Sequence, residues 1–234
     1  MKKVILSIIT VTRNPGSEIL KTISGISQFL SEEVEFVLVD GNSDEPILNS
    51  MIAQMPENTK FLSEPDMGIY DAMNKAWEMA EGKYLLFLNH GDELLWIPNE
   101  ILRGSDADVL LGSVLLDNGL QFQGRNSVLL QFRNLWPHQG TFYKRESSFR
   151  YNSSLKIFAD FDLNQRLYRT NSKIQFLPVS KPLARHQAGG VSGDPKGLNE
   201  FYSIIRANYG LLSVAISFLW FKLEGFRKKL IQPL

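Results

Sequence analysis

Val4-Ile5-Leu6-Ser7-Ile8-Ile9-Thr10-Val11 is a β-branched, almost wholly apolar run, and it breaks at once into Thr12-Arg13-Asn14-Pro15-Gly16-Ser17. A strand that is apolar on both faces is covered on both faces, which is the situation of a parallel strand inside an α/β sheet. The flanking sequence repeats the theme. Glu18–Leu30 carries Ile19, Leu20, Ile23, Ile26, Phe29 and Leu30 at helical spacing, and Glu35–Val39 is a second buried strand ending in Asp40-Gly41-Asn42-Ser43-Asp44. Pro46–Met55 reads as a helix and Lys60–Ser63 as a strand with the loop Glu64-Pro65-Asp66-Met67-Gly68 behind it; Ile69–Ala80 is a helix and Tyr84–Leu88 a strand. Strands and helices in strict alternation predict a right-handed, mostly parallel α/β sheet flanked by helices.

The second half is less regular. Val109–Leu116 and Gln121–Phe122 read as a hairpin around Asp117-Asn118-Gly119, with the Asn-Gly turn signal. Gly140–Tyr143 and Ile174–Leu177 are short strands, and Ala159–Tyr168 is an amphipathic helix. Ala184–Gly197, with four glycines, reads as a loop, and Leu198–Lys229 as one helical stretch.

The chain has 234 residues, 44% hydrophobic and 21% charged, which suits one globular domain and argues against disorder or low complexity. Twenty-five Lys and Arg balance twenty-five Asp and Glu, so no general attraction to nucleic acid is expected. The absence of cysteine excludes disulfides, thiolate–zinc sites and cysteine nucleophiles, and a reducing cytoplasm suits such a chain. Val4–Val11 is too short for a signal peptide, and Leu211–Phe221 falls well short of the ~20 apolar residues of a membrane span.

In an open α/β sheet, ligands bind at the carboxyl ends of the strands. Here those ends carry Thr12, Arg13 and Asn14, then Asp40–Asp44, then Glu64 and Asp66, then Asn89–Glu93. That bias points to a polar, nucleotide-like ligand. Neither Gly-x-Gly-x-x-Gly nor Gly-x-x-x-x-Gly-Lys follows the first strand, so phosphates must be met by a metal or by Arg and Lys side chains. Asn89-His90-Gly91-Asp92-Glu93 offers carboxylates to Mg²⁺ or Mn²⁺. The alternative is that Asp92 and Glu93 cap a helix or line a solvated turn.

Several segments together resemble the family 2 glycosyltransferases of the GT-A fold, in matching order over roughly the first 195 residues. They are Ile8-Ile9-Thr10-Val11-Thr12-Arg13-Asn14, Val39-Asp40-Gly41-Asn42-Ser43-Asp44, Glu64-Pro65-Asp66-Met67-Gly68-Ile69-Tyr70-Asp71-Ala72-Met73-Asn74-Lys75, Phe87-Leu88-Asn89-His90-Gly91-Asp92, His138-Gln139-Gly140-Thr141-Phe142-Tyr143 and Ala159-Asp160-Phe161-Asp162-Leu163-Asn164-Gln165-Arg166. The resemblance implies a GT-A-type domain over 1–197, with a nucleotide-sugar half (1–93), an acceptor half (94–197) and a C-terminal helical segment (198–234). It also implies an inverting glycosyltransferase like those of bacterial surface-polysaccharide assembly. The donor would be a nucleotide sugar, commonly of UDP, and the acceptor a hydroxyl of a saccharide or lipid-linked saccharide.

By the same resemblance, Thr12, Asn14, Asp40, Asp66, Asp71, Asn74 and Arg185 would meet the donor, and Asp92 with His186 would hold Mn²⁺ or Mg²⁺. His138 would contact the acceptor or the donor phosphate, and Asp160 would be the catalytic base. Gly189-Gly190-Val191-Ser192 resembles a segment that closes over the donor. The chain departs from the family at Asn89 and Gly91, where many members carry aspartate, and at Ala159, where many carry glutamate.

The chemistry suits these residue types. A carboxylate takes the proton of an attacking sugar hydroxyl, and a divalent cation neutralises the diphosphate leaving group. Each candidate has a plainer role beside it: His138 as a hydrogen-bonded loop histidine, Trp136 and Tyr143 as core aromatics, and Asp162 as a helix N-terminal charge. The apolar run 211–221 followed by Arg227-Lys228-Lys229 fits a membrane surface at the inner face of the cytoplasmic membrane, packing on the domain, or a second copy of the chain. Two other functions are compatible with such a sheet: a non-catalytic nucleotide- or glycan-binding module, and a sugar nucleotidyltransferase. The latter needs a glycine-rich basic loop that Thr12-Arg13-Asn14-Pro15 does not provide.

Overall fold

The computed structural model describes residues 3–186 and 197–231, the segment 224–231 by its backbone alone. The first half runs β1 (Leu6–Thr12), α1 (Glu18–Ser27), β2 (Val34–Asp40), α2 (Glu45–Gln54), β3 (Lys60–Ser63), α3 (Ile69–Met79) and β4 (Tyr84–Phe87). The second half runs β5 (Glu93–Leu94), α4 (Asn99–Gly104), β6 (Val109–Leu111), β7 (Ser113–Leu116), β8 (Gln121–Gln123), β9 (Thr141–Lys144) and α5 (Ala159–Arg169). It closes with β10 (Ile174–Phe176), β11 (Ala184–His186), α6 (Leu198–Tyr209) and α7 (Leu211–Ile231).

Seven strands form one sheet in the order β10-β6-β9-β4-β1-β2-β3. All its pairings are parallel except the two made by β9. Every residue of β1 is buried. Leu6 and Ile8 pack on one side of the sheet with Ile19, Ile23 and Ile26 of α1, whereas Ile9 and Val11 pack on the other with Met73, Ala76 and Trp77 of α3. The unbroken apolar run of β1 thus reflects helices on both faces. The chain moves outward from β1 through β2 to β3, then returns to the other side of β1 with β4. This reversal is a topological switch point, where a crevice opens at the carboxyl ends of the strands.

Three expectations for the second half need correction. Val109–Leu116 is two strands, not one: Gly112 separates β6 in the main sheet from β7 in a second sheet of order β5-β11-β7-β8. A Cβ on Gly112 would collide with the end of Leu183 and lie 3.3 Å from the Gly140 carbonyl, so the crossing is made where backbones approach closely. The loop expected from Ala184 begins instead with β11, whose short pairing partners lie far away in sequence. The single helix expected over Leu198–Lys229 is broken at Gly210, which has φ 86°, a left-handed conformation suited to glycine at a helix end. Among the described residues no helix is long and apolar enough to cross a membrane.

The amino edge of the sheet is closed by Glu35. Its Oε1 accepts hydrogen bonds from the Ser7 hydroxyl (2.5 Å) and the Glu81 N–H (2.6 Å), and its Oε2 pairs with Lys60 at 2.9 Å. Gly82 lies against this corner, where an added Cβ would meet the Ser7 backbone nitrogen and sit 2.6 Å from the Leu6 carbonyl carbon. Gly82→Ala is therefore expected to destabilise by about 1–3 kcal/mol, each kcal/mol lowering Tm by roughly 2–4 °C. Gly25→Ala, within α1 and with open space around it, is expected to stabilise by about 0.5–1 kcal/mol. Thermal denaturation of the two variants side by side checks both signs.

Candidate active site

Register brings the ends of the first three strands together: Thr12 pairs with Asp40, and Asp40 with Ser63. Asp40 is wholly buried. Its Oδ2 accepts from the Ser43 N–H (2.8 Å) and the Ser63 hydroxyl (2.7 Å), while Oδ1 accepts from the Ser43 hydroxyl. Both oxygens are engaged in shaping the turn. Asn14 ties this turn to the loop after β1, donating its N–H to Ser43 Oγ (2.6 Å) and accepting from the Asp44 N–H (2.8 Å). Its φ of 44° lies in the left-handed region that asparagine tolerates.

Asp66 lies over Gly41, where any Cβ would strike its Oδ2, and its Oδ1 accepts from the Gly68 N–H at 2.9 Å. Asp71 Oδ2 accepts from the Met67 N–H at 3.1 Å and pairs with Lys75 at 3.4 Å. Thr12 Oγ1 is buried with no hydrogen-bond partner. Asn74 does not join this edge through its amide. Its Nδ2 donates to the Tyr151 carbonyl (2.9 Å) and its Oδ1 accepts from the Tyr151 N–H (3.0 Å), pinning the segment before α5.

The loop after β4 carries a second group of residues. β11 pairs antiparallel with β5, Ala184 with Leu94 and Arg185 with Glu93, so the next position sets His186 beside Asp92. His186 Nδ1 lies 3.0 Å from Asp92 Oδ1, and Gln139 Nε2 donates to Asp92 Oδ2 at 2.8 Å. Asp92 is buried, and its carboxylate is the main cause of the raised His186 pKa, with burial opposing it. Backbone contacts anchor the loop to α1, with the Gly91 N–H donating to Thr22 Oγ1 at 2.9 Å. Arg185 is exposed and lies 3.6 Å from Glu93. Among the described residues no three His, Cys, Asp or Glu side chains gather as a ready metal cage; Asp92 and His186 form a pair.

His138 and Asp160 stand between the two halves. Both ring nitrogens of His138 are shut off from solvent without a hydrogen-bond partner, and its ring lies 5.7 Å from Phe87 and 6.4 Å from Tyr151. Burial lowers its pKa, while the charges of Asp160 and then Asp92 oppose that shift, so His138 is within electrostatic reach of both carboxylates. The Tyr151 hydroxyl beside it is likewise buried and unpartnered. Such orphaned polar atoms cost about 1–3 kcal/mol each and call for an explanation. Asp160 sits in the first turn of α5 and accepts from Asn134 Nδ2 at 2.8 Å. Burial raises its pKa above the ordinary carboxylate value, and His138 pulls it back.

The remaining candidates have plainer roles. Trp136 is buried and donates its indole N–H to the Arg125 carbonyl at 3.0 Å; Tyr143 is buried and donates to Asn164 at 2.8 Å. Asp162 joins Arg166 (2.8 Å) and Asn208 (3.0 Å), linking α5 to α6. His90 is exposed. The segment Gly189-Gly190-Val191-Ser192 lies outside the described residues. Sequence reasoning assigned no role to Gln139, Asn134 or Tyr151. The only advance signal for Gln139 was its place next to His138.

Comparison with known proteins agrees with this architecture. Residues 7–95 match the family described as Glycosyl transferase family 2. A PGL/p-HBAD biosynthesis glycosyltransferase of Mycobacterium tuberculosis is 29% identical over 177 residues, covering 69% of each chain. An uncharacterized glycosyltransferase of the same species is 31% identical over 88 residues, 37% of this chain and 34% of the relative. The crystal structure of S. aureus TarS superposes with a TM-score of 0.65 at 19% identity, over 87% of this chain; this chain spans 39% of the length of that one. The structure of TarS 1–349 in complex with UDP-GlcNAc gives 0.68 at 19% identity, covering 92% of this chain and 67% of that one. The fold is of the GT-A type, with a mostly parallel sheet and C-terminal helices.

Two stability measurements follow from the site. A carboxyl with a raised folded-state pKa holds its proton better when folded, so stability falls as pH rises from the unfolded value, about 3.9, through the folded one. Asp160→Asn should therefore match or exceed the parent Tm at neutral pH, with the difference shrinking as the solution is acidified through the carboxylate range. A lower Tm at neutral pH would show that the charge stabilises the fold. Asn74→Ala strips two hydrogen bonds from the Tyr151 backbone and is expected to cost about 1–3 kcal/mol in urea unfolding.

Proposed function

From the premise that residues 7–95 are a glycosyl transferase family 2 domain, we propose that this glycosyltransferase works by inversion. It moves a sugar from a nucleotide-sugar donor, a UDP-sugar foremost, to a hydroxyl of a saccharide or lipid-linked acceptor in cell-surface polysaccharide biosynthesis. The observation that carries the reading is the half-buried Asp160, with raised pKa, within reach of an unpartnered His138 that also feels Asp92. The likeness in fold to TarS 1–349, solved in complex with UDP and with UDP-GlcNAc, supports the choice of donor.

In this reading residues 1–93 bind the nucleotide and 94–197 the acceptor. Thr12, Asn14, Asp66, Asp71 and Arg185 contact the donor. Asp40 orders the turn between them through Ser43 and Ser63, and Asn74 acts from behind by holding Tyr151. Asp160 accepts the proton of the acceptor hydroxyl as that oxygen bonds to the anomeric carbon and the bond to the diphosphate breaks; attack from the opposite face inverts the centre. Its raised pKa makes it a stronger base than an ordinary carboxylate. His138, neutral where burial keeps it so, donates to the acceptor or a phosphate oxygen.

Asp92 and His186, 3.0 Å apart, are the residues that would hold a divalent cation. Mn²⁺ accepts such a mixed set more readily than Mg²⁺. When bound, the cation neutralises the leaving diphosphate. Gln139 and β11 keep the pair together.

A non-catalytic binding module is the second reading, favoured by the lack of a three-residue metal group among the described residues. One experiment separates the two. With UDP-sugars and Mn²⁺, the parent chain should release UDP, and Asp160→Asn should reduce release by about 10²–10⁴-fold. Calorimetric UDP binding should persist in that variant. Binding without turnover in the parent supports the module, and full activity in Asp160→Asn removes the base assignment.

A further inference from the structure

Helix α7 docks on α6 through Val214, Phe218 and Phe221 and leaves a further apolar face in solvent. Its serines face the domain: Ser217 is fully buried and donates to the Phe132 carbonyl at 3.0 Å, and Ser213 is buried beside it. Its leucines face outward, with Leu212 74%, Leu219 58% and Leu223 69% exposed. At 3.6 residues per turn, Leu212, Ile216, Leu219 and Leu223 fall within roughly 60° of one another, forming one continuous apolar stripe. Trp220 is 40% exposed at its margin. A water-facing helix does the opposite, and a contiguous exposed apolar stripe marks an interaction surface.

Charge identifies the partner. The whole chain is neutral, yet residues 211–231 hold Lys222, Arg227, Lys228 and Lys229 against Glu224 alone, a net +3 from four cations and one anion. Two copies of this chain meeting through α7 would bring two such cationic segments together, whereas anionic headgroups complement them. The helix has 21 residues, about 31 Å at 1.5 Å per residue, and is not apolar enough to cross a bilayer. We propose that α7 is a membrane-surface anchor that lies in the plane of an anionic bilayer, its leucine stripe in the acyl boundary and its cations among the headgroups. The inference stands on α7 alone and does not depend on the sugar-transfer reading.

Co-sedimentation of the full chain with lipid vesicles tests it. With about 30 mol% phosphatidylglycerol in phosphatidylcholine, binding should exceed that to pure phosphatidylcholine by at least about tenfold and fall as salt is raised to about 0.5 M. Leu212→Glu combined with Leu219→Glu should lose that binding by about tenfold, because two charges enter the apolar stripe. Leu120→Glu, an equally exposed leucine on the β7–β8 turn, should change nothing. In a second readout, anionic vesicles should blue-shift the tryptophan emission, and Trp220→Phe should remove that shift. Equal binding to neutral vesicles, or binding untouched by the double substitution, overturns the proposal. So does a dimer in light scattering that the double substitution converts to monomer.

Discussion

A strand with apolar side chains on both faces must be covered on both, and β1 is where that demand organises the molecule. Leu6 and Ile8 take α1 on one side while Ile9 and Val11 take α3 on the other. To supply both helices, the chain passes outward through β2 and β3 and returns at β4. That return sets the carboxyl ends of β1 and β4 side by side, joined by the Thr10 hydroxyl on the Leu88 carbonyl at 2.8 Å. Backbone bonds run one residue past the strands, from the Gly41 N–H to the Thr12 carbonyl and from the Glu64 N–H to the Asp40 carbonyl, and beyond them the loops must find other partners. The residues that follow, Thr12–Asn14, Asp40–Asp44 and Asn89–Asp92, are therefore polar for structural reasons before they are polar for a ligand.

This double duty explains why a list of polar residues at the sheet edge is not a list of contacts. Asp40 makes its hydrogen bonds within its own turn and to the neighbouring strand. Asn74 faces a backbone segment 77 residues away and satisfies both its N–H and its carbonyl. Side chains such as these set the position of the loops. By contrast, His138, Tyr151 and Thr12 keep buried polar atoms with nothing to bond. In a folded protein such atoms are uncommon because each one lowers stability; Thr59, Gln123 and Tyr209 carry them as well, outside the candidate site.

The first half of the fold was legible in the sequence because its strands and periodic helices alternate between clear turn clusters: β3 was read at its observed bounds, and β1, β2 and β4 within two residues. The second half was legible in part: α5, β9 and β10 were read within one residue and the β7–β8 hairpin was expected, whereas the β6–β7 break and β11 were missed because distant pairing sets them. β11 is three residues long and exists only between β5 and β7; nothing within Ala184-Arg185-His186 announces a strand. Gly112 and Gly210 likewise read as ordinary apolar-run glycines until the sheet crossing and the left-handed helix end give them a reason. At the site, the resemblance named Asp92, His138, Asp160 and His186, while the amides that hold the carboxylates, Gln139 and Asn134, went unread. An amide has no titration and no motif of its own, so only geometry reveals which carboxylate it holds.

Those amides decide what the carboxylates are able to do. Asp92 and Asp160 are both withdrawn from water, and a withdrawn charge needs compensation. Asp92 meets an amide on one oxygen and an imidazole on the other, and its field raises the pKa of His186. Asp160 receives one amide and the start of a helix, and its pKa remains raised. Burial outweighs these contacts at Asp160, which gains affinity for a proton. A carboxyl raised in this way is suited to take a proton from a hydroxyl, which is what the proposed reaction asks of it.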